Sequence, residues 1–258
     1  MKKTLKDKYS DRLVKAFLDN NVITPIPKRF TKKLTEADKF RMLCESKVKE
    51  PVIGFKAGGT FVPLIKKLKE KEPFYASVFK RNLLKSGKKV KINKYPVGIE
   101  VEVGFLLKKS FFSFKKKITK KNIIKFITHM VPCIEVVGYR QRKKGVTSFG
   151  DLCSDFGGNV KFFIGNKKKF KNSNMGNLKT NISNRKTSQN INGNTNAVYH
   201  NPINSLWFVL NKLKKDKIIL NKDFYVFTGS TVGIVPILGN GLYTGKVDKL
   251  GSVKAIIS

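Results

Sequence analysis

A short apolar, β-branched run over residues 98–107 predicts a buried strand near the middle of the chain. Glu100 and Glu102 interrupt this run, and side chains two residues apart in a strand point to the same face. Two unpaired buried carboxylates are costly, and each raises the pKa of the other. Either a divalent cation compensates them, or the strand has a water-facing side on which they pair with lysines.

A second apolar run, over residues 131–140, predicts another strand with a single carboxylate in it. Glu135 is its only polar side chain across seven residues, whereas a surface strand alternates polar and apolar positions. Together Glu100, Glu102 and Glu135 resemble a facial set of oxygen ligands for Mg²⁺ or Mn²⁺. The third isolated acid therefore favours the metal site over the water-facing strand.

A lysine also lies in apolar surroundings. Residues 51–60 are predicted to form a strand followed by glycines, and Lys56 lies just before the Gly58-Gly59 turn. Such a lysine is either a half-buried cation facing a site or a side chain that extends into water from a strand end. The segment alone does not distinguish these possibilities.

Apolar periodicity predicts helices in two parts of the chain. In the N-terminal part, one covers residues 9–21 with Ser10 or Asp11 as its cap, and the next opens at Thr35 with Asp38 in the capping-box position. The remaining predicted helices are a short basic one over 61–71, one from Thr119 or Lys120 towards Met130, and one over 202–214 capped by Asn201.

The other segments are predicted as loops and strands. Residues 72–79 are expected to form a loop that leads into an apolar turn. Alternating residues from 178 to 193 predict a hairpin with a mobile tip near 183–190, and short strands from 218 onwards predict an antiparallel β module.

Composition limits the class of protein. At 258 residues the chain can form one large domain or two small ones, and no run reaches the ~18–20 apolar residues of a membrane-spanning helix. The N-terminus lacks an apolar secretory signal, and its early acidic residues argue against a transit peptide, so we expect a cytoplasmic or mitochondrial-matrix protein. The cysteines lack CxxC spacing and are expected to be reduced core thiols. They are Cys44, Cys133 and Cys153.

The charge balance is strongly basic, with 54 Lys and Arg against 17 Asp and Glu, a net charge of +37. This favours binding to RNA or another polyanion through a lysine-rich surface. AT-rich coding bias is the alternative, because lysine greatly outnumbers arginine and Asn, Ile and Phe are abundant. Residues 108–121 interleave lysines with phenylalanines, which either stack on single-stranded nucleic acid or pack their rings into the core.

Several motifs occur in the order used by a known superfamily. They are the segment around Lys56, Ile99–Val103 with its two glutamates, Ile134–Val137, Ser154-Asp155, Asn201–Leu206, Phe227–Gly229 and Leu250–Val253. Over nearly its whole length the chain thereby resembles the fumarylacetoacetate hydrolase superfamily. Within it, the chain is most similar to the 2-oxopent-4-enoate (2-hydroxypentadienoate) hydratases and the 2-oxo-3-hexenedioate decarboxylases.

The resemblance implies an α+β fold, a mixed β-sheet roll or barrel with N-terminal helices. Residues 1–95 would form the helical region with the lysine-bearing loop, and 96–258 the β-roll core, together one structural domain. The implied activity is metal-dependent hydration of a small 2-oxo or 2-hydroxydienoic acid, such as 2-hydroxypenta-2,4-dienoate from aromatic compound catabolism, by a homo-oligomer. Decarboxylation of a 2-oxo acid is the alternative within the same family.

The resemblance also implies roles for individual residues. The three strand glutamates would hold Mg²⁺ or Mn²⁺, and Lys56 with Glu72 would be catalytic. Substrate binding would fall to Thr228, Gly229, Ser230 and Asp155.

Two departures from the family pattern bear on catalysis. The acid expected after Pro73 is absent, and Phe156 replaces an asparagine of the family motif. Together with the +37 charge, they keep a second hypothesis open. On this hypothesis the chain is a catalytically altered, lysine-rich structural subunit that binds RNA in a ribonucleoprotein such as an organellar ribosome.

Overall fold

The computed structural model describes residues 3–92, 96–141, 146–171 and 174–258. The helices are α1 (Leu5–Asp19), α2 (Leu34–Ser46), α3 (Val62–Lys67), α4 (Lys120–Ile123), α5 (Phe149–Ser154) and α6 (Pro202–Lys215). The first strands are β1 (Val52–Gly58), β2 (Phe74–Phe79), β3 (Leu83–Lys85), β4 (Lys89–Val90), β5 (Pro96–Leu107), β6 (Ile127–Gly138) and β7 (Asn159–Ile164). The others are β8 (Lys168–Lys169), β9 (Lys179–Asn184), β10 (Gln189–Asn194), β11 (Phe224–Ser230), β12 (Gly241–Val247) and β13 (Gly251–Ile257).

Two mixed sheets pack against each other. The larger has the order β2-β1-β11-β5-β6-β7-β3, with β8 also paired to β6, and the smaller has the order β10-β9-β12-β13-β4. Strands β1 and β11 run parallel, whereas β11, β5, β6 and β7 are successively antiparallel. Apolar side chains of β5, β6, β12 and β13 form one buried core between the sheets. Strands from both predicted regions, 1–95 and 96–258, enter both sheets.

The N-terminal helices cover one edge of the larger sheet. Leu13 and Phe17 of α1 pack with Phe40 of α2 and Phe79 of β2 in a separate buried cluster. Phe156 completes it, with its ring stacked on Phe17 at 4.1 Å between centroids. The residue that departs from the family pattern therefore contributes to the apolar contact between the helices and the sheet.

Both N-terminal helices begin elsewhere than predicted. Helix α1 starts at Leu5, where Thr4 Oγ1 accepts a hydrogen bond from the Asp7 amide (3.1 Å) and Asp7 reciprocates in a capping box. Ser10 lies inside the helix and donates to the Asp7 carbonyl (2.8 Å). Helix α2 follows Lys33 without a side-chain cap, and Asp38 accepts a hydrogen bond from Arg41 instead (2.7 Å).

Three further predictions of local structure are wrong in type or in length. Residues 74–79 form a strand paired with β1 rather than a loop, and its uniformly buried side chains lack the alternation that marks a half-exposed strand. The predicted helix towards Met130 ends at Ile123. Strand β6 begins at Ile127, which pairs with Leu107 at the end of β5. The helix predicted over 61–71 is shorter, since Lys69 adopts a left-handed conformation (φ +55°).

Other predictions are confirmed. Strands β9 and β10 form the hairpin, paired as far as Asn184 and Gln189 within the expected tip. Asn201 caps α6 by accepting a hydrogen bond from the Ile203 amide (2.9 Å). Phe111 is fully buried while the neighbouring lysines are exposed, so the rings of residues 108–121 pack into the core.

The C-terminal strands divide between the sheets. Strands β12 and β13 form an antiparallel pair in the smaller sheet, but β11 lies in the larger one between β1 and β5. All three cysteines are buried as free thiols. Among the residues that the structure describes, no helix combines the length and apolar character needed to cross a membrane.

Candidate metal centre

Three glutamates converge where β5 and β6 pair. The two strands are antiparallel, with Glu100 directly opposite Glu135 and Glu102 opposite Cys133. Because side chains alternate along a strand, Glu100 and Glu102 share the face on which Glu135 lies. One carboxylate oxygen from each glutamate can be chosen so that the three lie within 4.8 Å of one another. The sequence-predicted ligand set is thus brought together.

These carboxylates are buried but incompletely hydrogen-bonded. Glu102 and Glu135 have no exposed surface, and Glu100 is 8% exposed. The Gly229 amide donates to Glu102 Oε2 (3.0 Å), and Lys56 Nζ donates to Glu135 Oε1 (2.8 Å). The other oxygens, Glu102 Oε1 and Glu135 Oε2, have no hydrogen-bond partner in the described part of the chain. Buried oxygens are rarely left without partners, so these two are free for an additional ligand.

Burial shifts the protonation equilibria of all three acids. Desolvation, reinforced by the charge of Glu135, raises the pKa of Glu100 to about 8. Desolvation likewise raises the pKa of Glu102 and of Glu135, and the nearby Lys56 ammonium offsets this only in part. When ionised, the cluster holds three negative charges against one positive charge. A negatively charged site of hard oxygen ligands fits Mg²⁺ or Mn²⁺.

Lys56 is a buried cation beside these acids. It lies in β1, next to β11, and is only 4% exposed. Its ammonium donates to Glu135 and to the Gly157 carbonyl (3.0 Å). Burial alone would lower the pKa of Lys56, but Glu135, Glu100 and Glu102 together raise it. Lys56 is therefore a charged group facing the cluster rather than a side chain extending into water.

A cavity of about 560 Å³ opens onto this cluster. Lys56 and Glu100 are its charged lining residues, and residues 58–60, 157–158 and 229–233 also line it. Gly229 allows the close approach of two of these segments, since a Cβ at this position would lie 2.1 Å from Thr60 Oγ1 and its φ is +106°. The turn after β1 and the end of β11 are thereby held together.

The residues predicted to bind substrate at the end of β11 are only partly in the cavity wall. Gly229 and Ser230 line it. Thr228 does not, because it is buried and its hydroxyl donates to the Val103 carbonyl (2.9 Å). The Gly229 amide is also engaged, since it donates to Glu102. This segment therefore orients a candidate metal ligand.

Asp155 and Glu72 lie outside the cavity wall. The buried Asp155 carboxylate accepts hydrogen bonds from the backbone amide (2.6 Å) and guanidinium (2.8 Å) of Arg140, the second residue after β6. Glu72 precedes β2 and accepts a hydrogen bond from Lys212 Nζ (2.6 Å) on α6. The structure does not bring either predicted residue to the acid cluster.

Most of the cavity wall was not predicted from the sequence. Most of its apolar side chains come from α3 and α5, the residues just before these helices, β2 and the segment after β11, which are far apart along the chain. Local periodicity carries no signal for such a wall, and only the Gly58-Gly59 turn indicated that backbone approaches a site there. The lining side chains in question are Phe61, Leu64, Phe74, Val146, Phe149, Leu152, Val232 and Ile234.

Comparison with solved structures identifies the fold. A 4-oxalocrotonate decarboxylase from Pseudomonas putida G7, complexed with magnesium and adipate, covers 100% of both chains with a TM-score of 0.82 and 18% sequence identity. The chain has the fumarylacetoacetate hydrolase fold. The same decarboxylase with calcium and acetate gives a TM-score of 0.80, again with 18% identity and complete coverage of both chains. A protein of Yersinia pestis CO92 described as belonging to the fumarylacetoacetate hydrolase family matches 82% of this chain and 95% of its own, with a TM-score of 0.58 and 13% identity.

The fumarylacetoacetate hydrolase fold confirms the predicted α+β roll with N-terminal helices. No family model matches the sequence. No curated protein matches it either. At sequence identities of 18% and 13%, the structural similarity establishes the fold alone. An activity has to be argued from the site.

Proposed function

We propose that the protein is a divalent-metal-dependent enzyme acting on small 2-oxo or 2-hydroxy acids. The observation that carries this proposal is the buried set Glu100, Glu102 and Glu135, with two unpartnered oxygens, beside the Lys56 ammonium at a deep cavity. A purely structural protein gains nothing from three buried acids, because their desolvation opposes folding. Perturbed titratable groups gathered at a cavity are typical of active sites.

The bound ligands of the fold neighbour support the same chemistry. The P. putida decarboxylase is complexed with magnesium and adipate in one structure and with calcium and acetate in another. Each pair combines a hard divalent cation with a carboxylate. In this chain, the three glutamates would hold Mg²⁺ or Mn²⁺ and leave coordination positions for a substrate.

The chain's own groups have separable roles in this scheme. A bound metal ion would supply Lewis-acid polarisation of the 2-oxo group. The Gly229 amide fixes the orientation of Glu102, and the charged Lys56 holds a proton at Nζ in the cavity wall. Lys56 can therefore contact the substrate carboxylate or deliver a proton to a substrate carbon. The apolar wall keeps bulk water from the rest of the substrate.

For the reaction itself we propose hydration of a 2-hydroxydienoic acid, with decarboxylation as the alternative. The test is Mg²⁺-dependent turnover of 2-hydroxypenta-2,4-dienoate and of 2-oxo-3-hexenedioate by the purified protein. Glu102→Gln serves as the control for metal dependence. Turnover of 2-hydroxypenta-2,4-dienoate alone supports the hydratase, and turnover of 2-oxo-3-hexenedioate alone supports the decarboxylase. If the protein turns over neither acid, the enzyme proposal is contradicted.

A second candidate function, polyanion binding, rests on a groove on the other side of α3. The groove has a volume of about 440 Å³, and three lysines outnumber Glu70 in its lining beside the rings of Tyr199 and Trp207. The lysines are Lys66, Lys71 and Lys120. Exposed lysines of 66–71 and 115–121 continue from it. Aromatic rings flanked by lysines suit single-stranded nucleic acid, which binds by stacking and charge.

This second function is tested by titrating fluorescent single-stranded RNA at several salt concentrations. Lys120→Glu with Trp207→Ala should weaken binding at least tenfold, because both charge and stacking are lost. Lys246→Glu, an exposed lysine of β12, serves as the charge-matched control. Equal weakening by Lys246→Glu would mean that the net charge alone attracts RNA and would contradict a specific groove.

A further inference from the structure

The cavity at the metal centre is divided into a small polar part and a large apolar part. Lys56 and Glu100 mark the polar part. The apolar part is formed by aromatic and aliphatic side chains from four separate segments. They are Phe61, Leu64, Phe74, Val146, Phe149, Leu152, Val232 and Ile234.

Three of the other polar side chains of the wall make hydrogen bonds within the protein. Ser230 Oγ donates to the Gly233 carbonyl (2.9 Å), and Thr231 Oγ1 donates to the Val101 carbonyl (2.8 Å). Asn192 Oδ1 accepts from Asn181 Nδ2 (2.9 Å). Apart from Lys56, none of the described lining residues is cationic, although the whole chain carries a charge of +37.

The cavity as a whole is also larger than a five-carbon acid requires. About 560 Å³ lies within the range of roughly 300–1,000 Å³ typical of cavities that enclose drug-sized ligands. Leu64, Val146 and Ile234 are 38%, 45% and 49% exposed, so apolar surface extends from the interior to the mouth. An apolar substituent would cover this surface and gain the corresponding transfer free energy.

From this wall we infer that the substrate is a monocarboxylic 2-oxo or 2-hydroxy acid with an extended apolar substituent. This inference rests on the proposed function and specifies its substrate class. Each methylene of the substituent that becomes buried should improve affinity by about fourfold. A second carboxylate at the far end would be buried against the apolar wall without a cationic partner, and it should therefore be rejected.

The test uses a pair of acids of equal chain length. Binding of 2-oxohexanoate and 2-oxoadipate to the Mg²⁺-loaded protein is measured by calorimetry, with 2-oxobutanoate as the short reference. We expect 2-oxohexanoate, which is two methylenes longer, to bind about 15-fold more tightly than 2-oxobutanoate. We also expect it to bind at least tenfold more tightly than 2-oxoadipate, which ends in a carboxylate where 2-oxohexanoate ends in a methyl group.

A matched pair of variants locates the effect in the cavity. Leu64→Arg places a cation in the wall at a half-exposed position, and it should remove or reverse the preference against 2-oxoadipate. Ile219→Arg adds the same charge at a position that is 75% exposed and is not part of the lining. This control should leave the preference unchanged.

The outcomes separate this inference from the proposed function. If none of the acids binds in an Mg²⁺-dependent manner, the proposed function fails. If all three bind with Mg²⁺ but 2-oxoadipate equals or exceeds 2-oxohexanoate, the enzyme proposal stands and the substrate class inferred here is overturned. Equal binding of 2-oxobutanoate and 2-oxohexanoate would overturn it in the same way.

Discussion

At the scale of single residues, two buried oxygen atoms define the site. Glu102 Oε1 and Glu135 Oε2 lack hydrogen-bond partners in the described chain, while the second oxygen of each carboxylate is held by Gly229 or Lys56. Such half-satisfied carboxylates destabilise a folded protein unless something else binds them. Their cost is the physical reason to expect a cation between them.

Replacing Glu102 by Gln separates metal binding from folding. The variant should lose the thermal stabilisation by Mg²⁺, about 5–10 °C at Mg²⁺ concentrations about 100 times Kd. Without metal it should unfold at the same or a higher temperature than the parent protein, because a buried charge has been removed. Thermal unfolding with and without Mg²⁺ measures both effects.

Glu72→Gln is the matched control for this experiment, since Glu72 pairs with Lys212 outside the cavity. It should keep the full Mg²⁺ stabilisation. An unchanged Mg²⁺ effect in Glu102→Gln would contradict the assignment of the metal ligands.

Lys56→Met should reduce kcat by about 10²–10⁴-fold under saturating Mg²⁺, because the proton-bearing group of the cavity wall is removed. Mg²⁺ should still bind, since the three glutamates remain. Steady-state kinetics and Mg²⁺ titration distinguish these effects. A kcat within a factor of two of the parent value would exclude a chemical role for Lys56.

At the scale of elements, the end of β6 fixes the turn that holds Lys56. Arg140 is the second residue after β6, and its amide and guanidinium bind the buried Asp155 carboxylate. Asp155 is two residues before Gly157, whose carbonyl accepts a hydrogen bond from Lys56. The strand that carries Glu135 thus also anchors the turn that positions its lysine partner.

Asp155→Ala tests whether Asp155 supports the fold or binds substrate. Leaving Arg140 buried without this carboxylate should cost about 3–5 kcal/mol of unfolding free energy. KM for the acid substrate should change less than twofold in the folded fraction, since Asp155 does not line the cavity. Urea unfolding and kinetics at low temperature measure the two effects. A large KM increase at unchanged stability would restore the role predicted from the sequence.

The sequence predicted the ligand-bearing strands because their signals are local. Glu100, Glu102 and Glu135 are isolated acids in apolar runs, and strand periodicity alone places the first two on one face. Strand β2 was missed because all its side chains are buried, so it shows no alternation. The positions of Asp155 and Glu72 depend on contacts with Arg140 and Lys212, which lie in other elements and leave no trace in local sequence.

At the scale of the whole molecule, folding without metal is opposed by the acid cluster. In the folded protein the pKa of Glu100 is about 8 instead of the ordinary 4.5, and the pKa values of Glu102 and Glu135 are also raised. Between the unfolded and folded pKa values, the folded state binds more protons than the unfolded state. Its stability therefore falls as pH rises through this interval.

The metal-free protein should accordingly be more stable near pH 5.5 than near pH 8. Lys56 does not reverse this trend, because its pKa is raised from 10.5 and its charge is constant in this range. Mg²⁺ should flatten the dependence by replacing the bound protons. Urea unfolding in EDTA and in Mg²⁺ measures both curves, and a metal-free protein that gains stability towards pH 8 would contradict this account.

The buried cysteines allow local unfolding of the protein to be measured by thiol alkylation. Cys133 lies on β6 opposite Glu102, and burial raises the pKa of its thiol together with those of Cys44 and Cys153. Because alkylation requires an accessible thiolate, these buried thiols react only after local unfolding exposes them. If Glu100, Glu102 and Glu135 hold a metal ion, its binding should slow the alkylation of Cys133 more than that of Cys44, which lies on α2. The relative labelling rates of the two thiols then show which part of the protein opens first.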